Sequence, residues 1–361
     1  MKARVIRYPR LEPDATQLNQ MLKHIPRFNP HNVKKNKMLI EDFVVEGTTQ
    51  VSCGKFGTRK TSIHLLAGWC VSQGIPFLDR KTQRRAVLYL DYENPPGVLK
   101  SYCEDLGIDP TNPWFTIWDR ASAIPPQPSE PGDDPIEDFI QRCKKATGHG
   151  PCIIFDSFTS LLRAGESGND SNHATRIYRN TRRYCDLGAT CTIIDHTGKK
   201  GGNEPIGTSA KMTQMDTAHF FSVHEKTMSL DGKSFSCVIR VENFLKRFAP
   251  EGVGTFSMEV KATVNDKGEW HTTGIEPTKD ISVRKVEKKV RWLQELIVKN
   301  PKAGQNELGK LAAARKENGS KLLGEKQAIQ LLKEGAGKYW EIFAKGKDNK
   351  KVFRVSKQKS L

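Results

Sequence analysis

Lys60 and Thr61 are the two side chains best placed by their neighbours to do chemistry. They follow a strand-like run, Thr49 to Cys53, and a turn, Gly54 to Arg59, and open a segment with Ile63, Leu65, Leu66, Trp69 and Cys70 along it. Strand, glycine-bearing turn, Lys-Thr and helix make a phosphate-binding loop. Turn N–H groups and the helix N-terminus attract phosphate, the lysine neutralises the β and γ groups, and the threonine hydroxyl ligates Mg²⁺. The run Gly54-Lys55-Phe56-Gly57-Thr58-Arg59-Lys60-Thr61 fits G-x-x-x-x-G-K-S/T except at Arg59, which stands where the second glycine belongs. That side chain must point away from the phosphates or add a charge to them. Gly54, Gly57, Thr58, Arg59, Lys60, Thr61 and Ser62 are the candidate nucleotide-binding residues. The plainer reading is an ordinary strand–turn–helix with two convenient glycines.

Three further residues close apolar runs. Arg85 to Asp91 leads to Glu93, Pro151 to Phe155 leads to Asp156, and Ala189 to Asp195 leads to His196. Continuous apolar runs of this length fit strands buried on both faces of a parallel sheet. Polar groups at the C-terminal ends of such strands face the ligand crevice. Glu93 could orient and deprotonate a water attacking the γ-phosphate, or could merely cap the next helix. Asp156, after four apolar residues, has the Walker B form and would hold Mg²⁺ with Thr61. His196 could contact the γ-phosphate, although a lone histidine is more often structural.

These residues need a frame. Helices are expected over the segment with Val98, Leu99 and Tyr102, over Ile136–Ala146 and over His173–Leu187, alternating with the strands above and with Pro113–Asp119. Asp216–Val223, Cys237–Leu245 and Thr255–Lys261 are strand-like and are expected to extend the sheet in antiparallel fashion. Residues 1–37 are basic and proline-punctuated and read as an arm or linker with a short helix from Ala15 to Lys23. Eight scattered cysteines without a CxxC pair read as reduced, buried thiols and not as a zinc site. The N-terminus lacks a secretory apolar core and no apolar run is long enough to cross a membrane, so a cytoplasmic protein is expected.

The net charge of +17 is uneven: residues 281–361 hold 21 Lys and Arg against 8 Asp and Glu, a net +13. Lys288–Lys299, Gln305–Arg315 and Glu325–Lys333 have helical apolar stripes, and Tyr339–Ala344 and Lys351–Val355 alternate like a hairpin. Three short helices and a basic hairpin spell a winged helix, whose third helix enters the major groove. Lys326 and Lys333 on that helix, and Lys347 and Lys350 in the hairpin, are candidate DNA contacts. The alternative is a solvated basic surface or a protein-docking module.

From about Met38 to Gly274 the chain resembles the RepA-type branch of RecA-like ATPases, which includes plasmid and mobile-element replicative helicases and is related to DnaB and KaiC. The likeness lies in the order and spacing of GKFGTRKT, VLYLDYEN, CIIFDSFTSLL, TIIDHTGK and NFLKRFAPEG. It implies an α/β fold with a RecA-like P-loop core and a mostly parallel twisted sheet, ATP and Mg²⁺ as cofactors, and a ring, usually a hexamer. It implies that Glu93 is the catalytic carboxylate, His196 the phosphate sensor and Arg247 the arginine finger given to a neighbour. In the family a lysine often lies two residues before the finger; here Lys246 is adjacent. It also implies that the loops at 163–172 and 198–206 face the channel, where Lys199 and Lys200 would meet single-stranded DNA.

The expected organisation is an arm over 1–37, a RecA-like ATPase domain over 38–278 and a basic winged-helix-like domain over 279–361. The expected function is that of an ATP-driven, DNA-binding ring motor, a replicative helicase of a plasmid, phage or other mobile element that meets other replication proteins. Two alternatives stay open: an ATP-dependent loader or regulatory factor without unwinding activity, and a recombinase-like filament protein.

Overall fold

The apolar runs that end in Asp91, Asp156 and His196 lie side by side in one nine-stranded sheet. The computed structural model describes residues 37–129, 134–168, 170–197, 213–246, 254–314, 316–317, 320–321, 323–345 and 350–355. The chain divides into two units, Met1–Lys37 and Met38–Leu361. Of the first only Lys37 is among the described residues, so the expected arm and its helix lie outside them.

In chain order, β1 (Met38–Ile40) and β2 (Val44–Val45) form a small hairpin that precedes β3 (Thr49–Gly54) and α1 (Lys60–Gln73). Next come β4 (Val87–Asp91), α2 (Pro96–Leu106), β5 (Phe115–Asp119), α3 (Pro135–Thr147) and β6 (Cys152–Asp156). They are followed by α4 (Ser171–Asp186), β7 (Thr190–His196), β8 (Thr217–Met228), β9 (Ser234–Lys246), β10 (Phe256–Val264) and β11 (Trp270–Thr278). The sheet order is β11-β10-β9-β8-β3-β7-β6-β4-β5. All neighbours from β8 to β5 are parallel, and β9, β10 and β11 add on antiparallel. This is an α/β fold of RecA-like NTPase type, with a large and mostly parallel sheet.

Burial on both faces accounts for the near-continuous apolar runs, because alternate side chains serve opposite layers. Val87 and Tyr89 pack with Ile63, Leu65 and Leu99 from α1 and α2. Leu88 and Leu90 pack with Ile136, Ile140 and Ile177 from α3 and α4. Truncating one such side chain, as in Leu88→Ala, costs about 2–5 kcal/mol through lost transfer energy and the cavity left behind. All eight cysteines are free thiols, seven of them buried.

The distal sheet departs from expectation in two ways. β8 is parallel to β3 and not antiparallel, with Gln50 beside Thr217 and Gly54 beside Phe221. The antiparallel run therefore begins one strand later. β11 was not expected, since its sequence WHTTGIEPT carries a glycine, a proline and little apolar alternation. It pairs only with β10 and is an edge strand, where a missing N–H is tolerated.

Past the sheet, α5 (Ile281–Lys299), α6 (Gln305–Ala314), a short β12 (Lys316–Glu317) and β13 (Ser320–Lys321) pair, α7 (Glu325–Glu334) and the hairpin β14 (Trp340–Lys345) and β15 (Lys350–Val355) follow. They enclose a core of their own, with Leu293, Leu308, Ala328, Leu332, Trp340 and Phe353. The first of these helices starts at Ile281, well before the expected Lys288. Its added turns have exposed Val283 and Val286 and are held by ion pairs: Arg284 to Glu225 at 3.4 Å and Lys279 to Glu287 at 2.7 Å. That signal is electrostatic and long-range, so apolar periodicity did not reveal it. Among the described residues, no helix is long and apolar enough to cross a membrane.

Candidate active site

The turn after β3 is built from glycine where space or backbone demands it. A Cβ on Gly54 would lie 2.5 Å from the carbonyl oxygen of Phe221, and Gly57 has φ +76°. Thr58 Oγ1 donates to the Lys55 carbonyl at 2.8 Å and stiffens the turn. Arg59 takes φ 58° and ψ 24°, so it adopts the left-handed backbone of the glycine it replaces. A side chain in that region costs about 1–2 kcal/mol. No side chain caps α1 and its first turn holds no acidic residue, which leaves its N-terminal N–H groups open to an anion. Ser62 turns inward and donates to the Arg59 carbonyl at 3.1 Å.

The Lys60 side chain is buried at the C-terminal edge of the sheet. Its Nζ donates to the carbonyls of Gly54 at 2.8 Å and Lys55 at 3.2 Å, and to Thr58 Oγ1 at 3.2 Å. Burial lowers its pKa to about 8 against the opposing pull of carboxylates, Asp156 first among them. His196 Nδ1 lies 3.5 Å from Nζ. Burial and then the Lys60 charge lower the pKa of this imidazole. Phe56 stacks flat on it, with ring centroids 4.4 Å apart and planes 3° apart.

Asp156 ends β6 beside Asp91 of β4, and His196 ends β7 beside Gly54 of β3, so parallel register aligns them on one edge. Asp156 Oδ2 accepts from Thr61 Oγ1 at 2.8 Å and from the Tyr89 hydroxyl at 2.7 Å. Burial raises the Asp156 pKa to about 7, and these hydrogen bonds work against the rise. Glu93 Oε1 accepts from Ser157 Oγ and, at 3.2 Å, from Ser160 Oγ. Glu93 does not cap α2. Asp91 satisfies that turn instead, accepting from the N–H groups of Glu93 at 3.0 Å and Asn94 at 2.9 Å.

Together these groups border a cleft of about 350 Å³. Arg59, Lys60, Thr61, Glu93, Asp156 and His196 form its polar wall; Phe56, Tyr102, Val223, Phe235 and Cys237 add apolar surface, and Lys226 also lines it. Thr61 Oγ1 and Asp156 Oδ2 supply hard oxygen donors on one side. Among the described residues there is no cluster of three or more His, Cys, Asp or Glu able to hold a metal by themselves. Mg²⁺ is held by one or two protein oxygens together with substrate phosphates, and Thr61 Oγ1 with Asp156 Oδ2 could supply them.

Other candidates lie elsewhere. Arg247, Lys199, Lys200 and Lys347 are outside the described residues. Lys326 and Lys333 sit on α7 and Lys350 begins β15, all in the C-terminal module. Lys246, next to Arg247, pairs with Thr217. That pair sits at the sheet edge opposite the phosphate loop, because Thr217 flanks Gln50 at the start of β3. Sequence reasoning passed over Tyr89, Ser157 and Ser160. The signal for Tyr89 was a hydroxyl inside an aliphatic strand; for Ser157, a hydroxyl directly after the strand-ending acid.

A family model described as an AAA domain matches residues 22–202. The match includes the phosphate loop and runs past His196, ending before β8. No curated protein matches the chain.

Proposed function

The chain belongs to the AAA domain family and is a P-loop ATPase by class, and on that premise we propose that it is an ATP-hydrolysing ring motor acting on DNA. The observation that carries the reading is the convergence of Lys60, Thr61, Glu93, Asp156 and His196 on one cleft at the C-terminal edge of the sheet. Lys60, Gly54, Gly57, Thr58, Arg59 and Ser62 form the phosphate cradle. Thr61 and Asp156 hold Mg²⁺, which supplies charge neutralisation on the phosphate oxygens. Glu93, oriented by Ser157 and Ser160, accepts the proton of the attacking water. His196 reads the terminal phosphate from beside Lys60.

Arg247 acts on the neighbouring subunit's nucleotide. The pairing of Lys246 with Thr217, at the sheet edge away from its own phosphate loop, favours donation outward. The assembly is then a homo-oligomer, a hexamer as in RepA-type helicases, with Lys199 and Lys200 toward single-stranded DNA in its channel. The C-terminal module is a winged helix that meets duplex DNA through Lys326, Lys333, Lys347 and Lys350. Its order of three helices and a hairpin supports this reading, as does its share of the charge. In this reading the protein is a replicative helicase of a plasmid, phage or mobile element.

The test is strand displacement on a forked duplex with Mg²⁺-ATP, using the wild type and Glu93→Gln. Displacement by the wild type alone is expected. Hydrolysis with no displacement on any fork would leave a loader or regulatory factor.

A further inference from the structure

Between β8 and the first turns of α5 lies a second cleft, of about 710 Å³, lined by His224, Glu225, Lys226, Thr227, Arg284, Glu287, Lys288 and Arg291. Arg284, Lys288 and Arg291 are spaced i, i+4 and i+7, so they share one helix face. That face runs about 10 Å along the axis. Lys226 answers them from the strand opposite.

The four Lys and Arg side chains outnumber the two carboxylates. Glu287 is paired with Lys279 at 2.7 Å and Glu225 lies 3.4 Å from Arg284, so both acids have cationic partners. Among the described residues, no Phe, Tyr, Trp or large aliphatic side chain lines the cleft. The excess of two positive charges, carried by guanidinium and ammonium groups on facing walls, suits a run of phosphates.

We propose that this cleft binds the phosphodiester backbone of single-stranded nucleic acid. The inference rests on the nucleic-acid reading above, but it uses none of the residues assigned there. Lys226 also lines the nucleotide cleft. A strand held between β8 and α5 therefore runs past the mouth of the ATP site, which ties nucleic-acid occupancy to the nucleotide.

The experiment measures anisotropy of a fluorescein-labelled oligothymidylate with the full chain across a salt series, alongside binding of a fluorescent ATP analogue. Lys288→Glu with Arg291→Glu, both at exposed positions, should weaken oligonucleotide binding at least about tenfold at low salt. It should also lower the log–log salt slope by about 1.4, two contacts at roughly 0.7 each. Nucleotide affinity should stay unchanged. Lys288→Gln with Arg291→Gln guards against misfolding and should show the same slope change with a smaller loss. Lys226→Ala should weaken both ligands. If both double variants bind the oligonucleotide like wild type while Lys199→Glu with Lys200→Glu does not, this site is wrong and the nucleic-acid reading stands. A wild type that fails to bind the oligonucleotide at any salt overturns both.

Discussion

Thr61 Oγ1 donates a 2.8 Å hydrogen bond to Oδ2 of Asp156, a residue 95 positions further along the chain. One group opens the helix after β3 and the other ends β6, with β7 between the two strands. Only the parallel sheet brings them together. The pair forms the corner of the cleft proposed above for Mg²⁺, and the remaining site groups are arranged about it.

Lys60→Ala should abolish ATP hydrolysis and weaken nucleotide binding. The ammonium occupies the floor of the phosphate turn, and removing such a charge from a site of this kind costs on the order of 10²–10³ in turnover. Steady-state phosphate release and titration of a fluorescent nucleotide give both numbers. A variant with wild-type turnover would remove the central reading.

Glu93→Gln should retain ATP binding and lose about 10²–10⁴ in hydrolysis, since the water loses its base. Ser157→Ala should lower turnover less, because it frees Glu93 Oε1 from one of two hydroxyl partners and leaves Ser160. A larger loss in the serine variant than in Glu93→Gln would put the base elsewhere.

Mixing Arg247→Ala subunits with Lys60→Ala subunits should restore partial ATPase activity, because some interfaces regain both groups. Activity is followed against mixing ratio in a confirmed oligomer. A flat, inactive curve would mean that each site is built within one subunit.

His64 supplies a pH dependence of stability. Its Nδ1–H donates to the Lys60 carbonyl at 2.8 Å, and its Nε2 then accepts from Ser52 Oγ at 2.9 Å. Burial lowers its pKa from 6.5 to about 4. The folded-state pKa is depressed, so the neutral form is favoured in the native protein. This contribution is fully present above pH 6.5 and is lost as pH falls through 4. Near pH 4.5 the loss is on the order of 2 kcal/mol. Urea unfolding at pH 7 and pH 4.5 should show a smaller difference in His64→Gln than in wild type, and an equal difference would contradict the assignment.

Arg59→Gly should raise unfolding stability by about 0.5–1 kcal/mol, the left-handed penalty of a side chain less the chain entropy of glycine. Urea midpoints at neutral pH measure it. A lower midpoint would show that the Arg59 side chain contributes contacts worth more than the strain.

The residues of the cleft were largely legible in the sequence, and their relationships were not. Strand, turn, Lys60-Thr61 and helix are contiguous, and local backbone preferences with period-2 and helical spacing write them into one short stretch. The apolar runs before Asp91, Asp156 and His196 announce buried strands because both of their faces must leave water. Sequence alone therefore determined the polar strand ends that border the cleft, the basic C-terminal module and the α/β class. It left Glu93 between base and cap. Tertiary structure decided that Asp91 serves the turn while Ser157 and Ser160 hold Glu93. Tertiary structure also decided that β8 runs parallel to β3, that WHTTGIEPT is an edge strand, and that Phe56 stacks on His196. Each of these depends on which distant strands pair and in what register. Pairing energy is shared between partners far apart in the chain, so no local stretch records it.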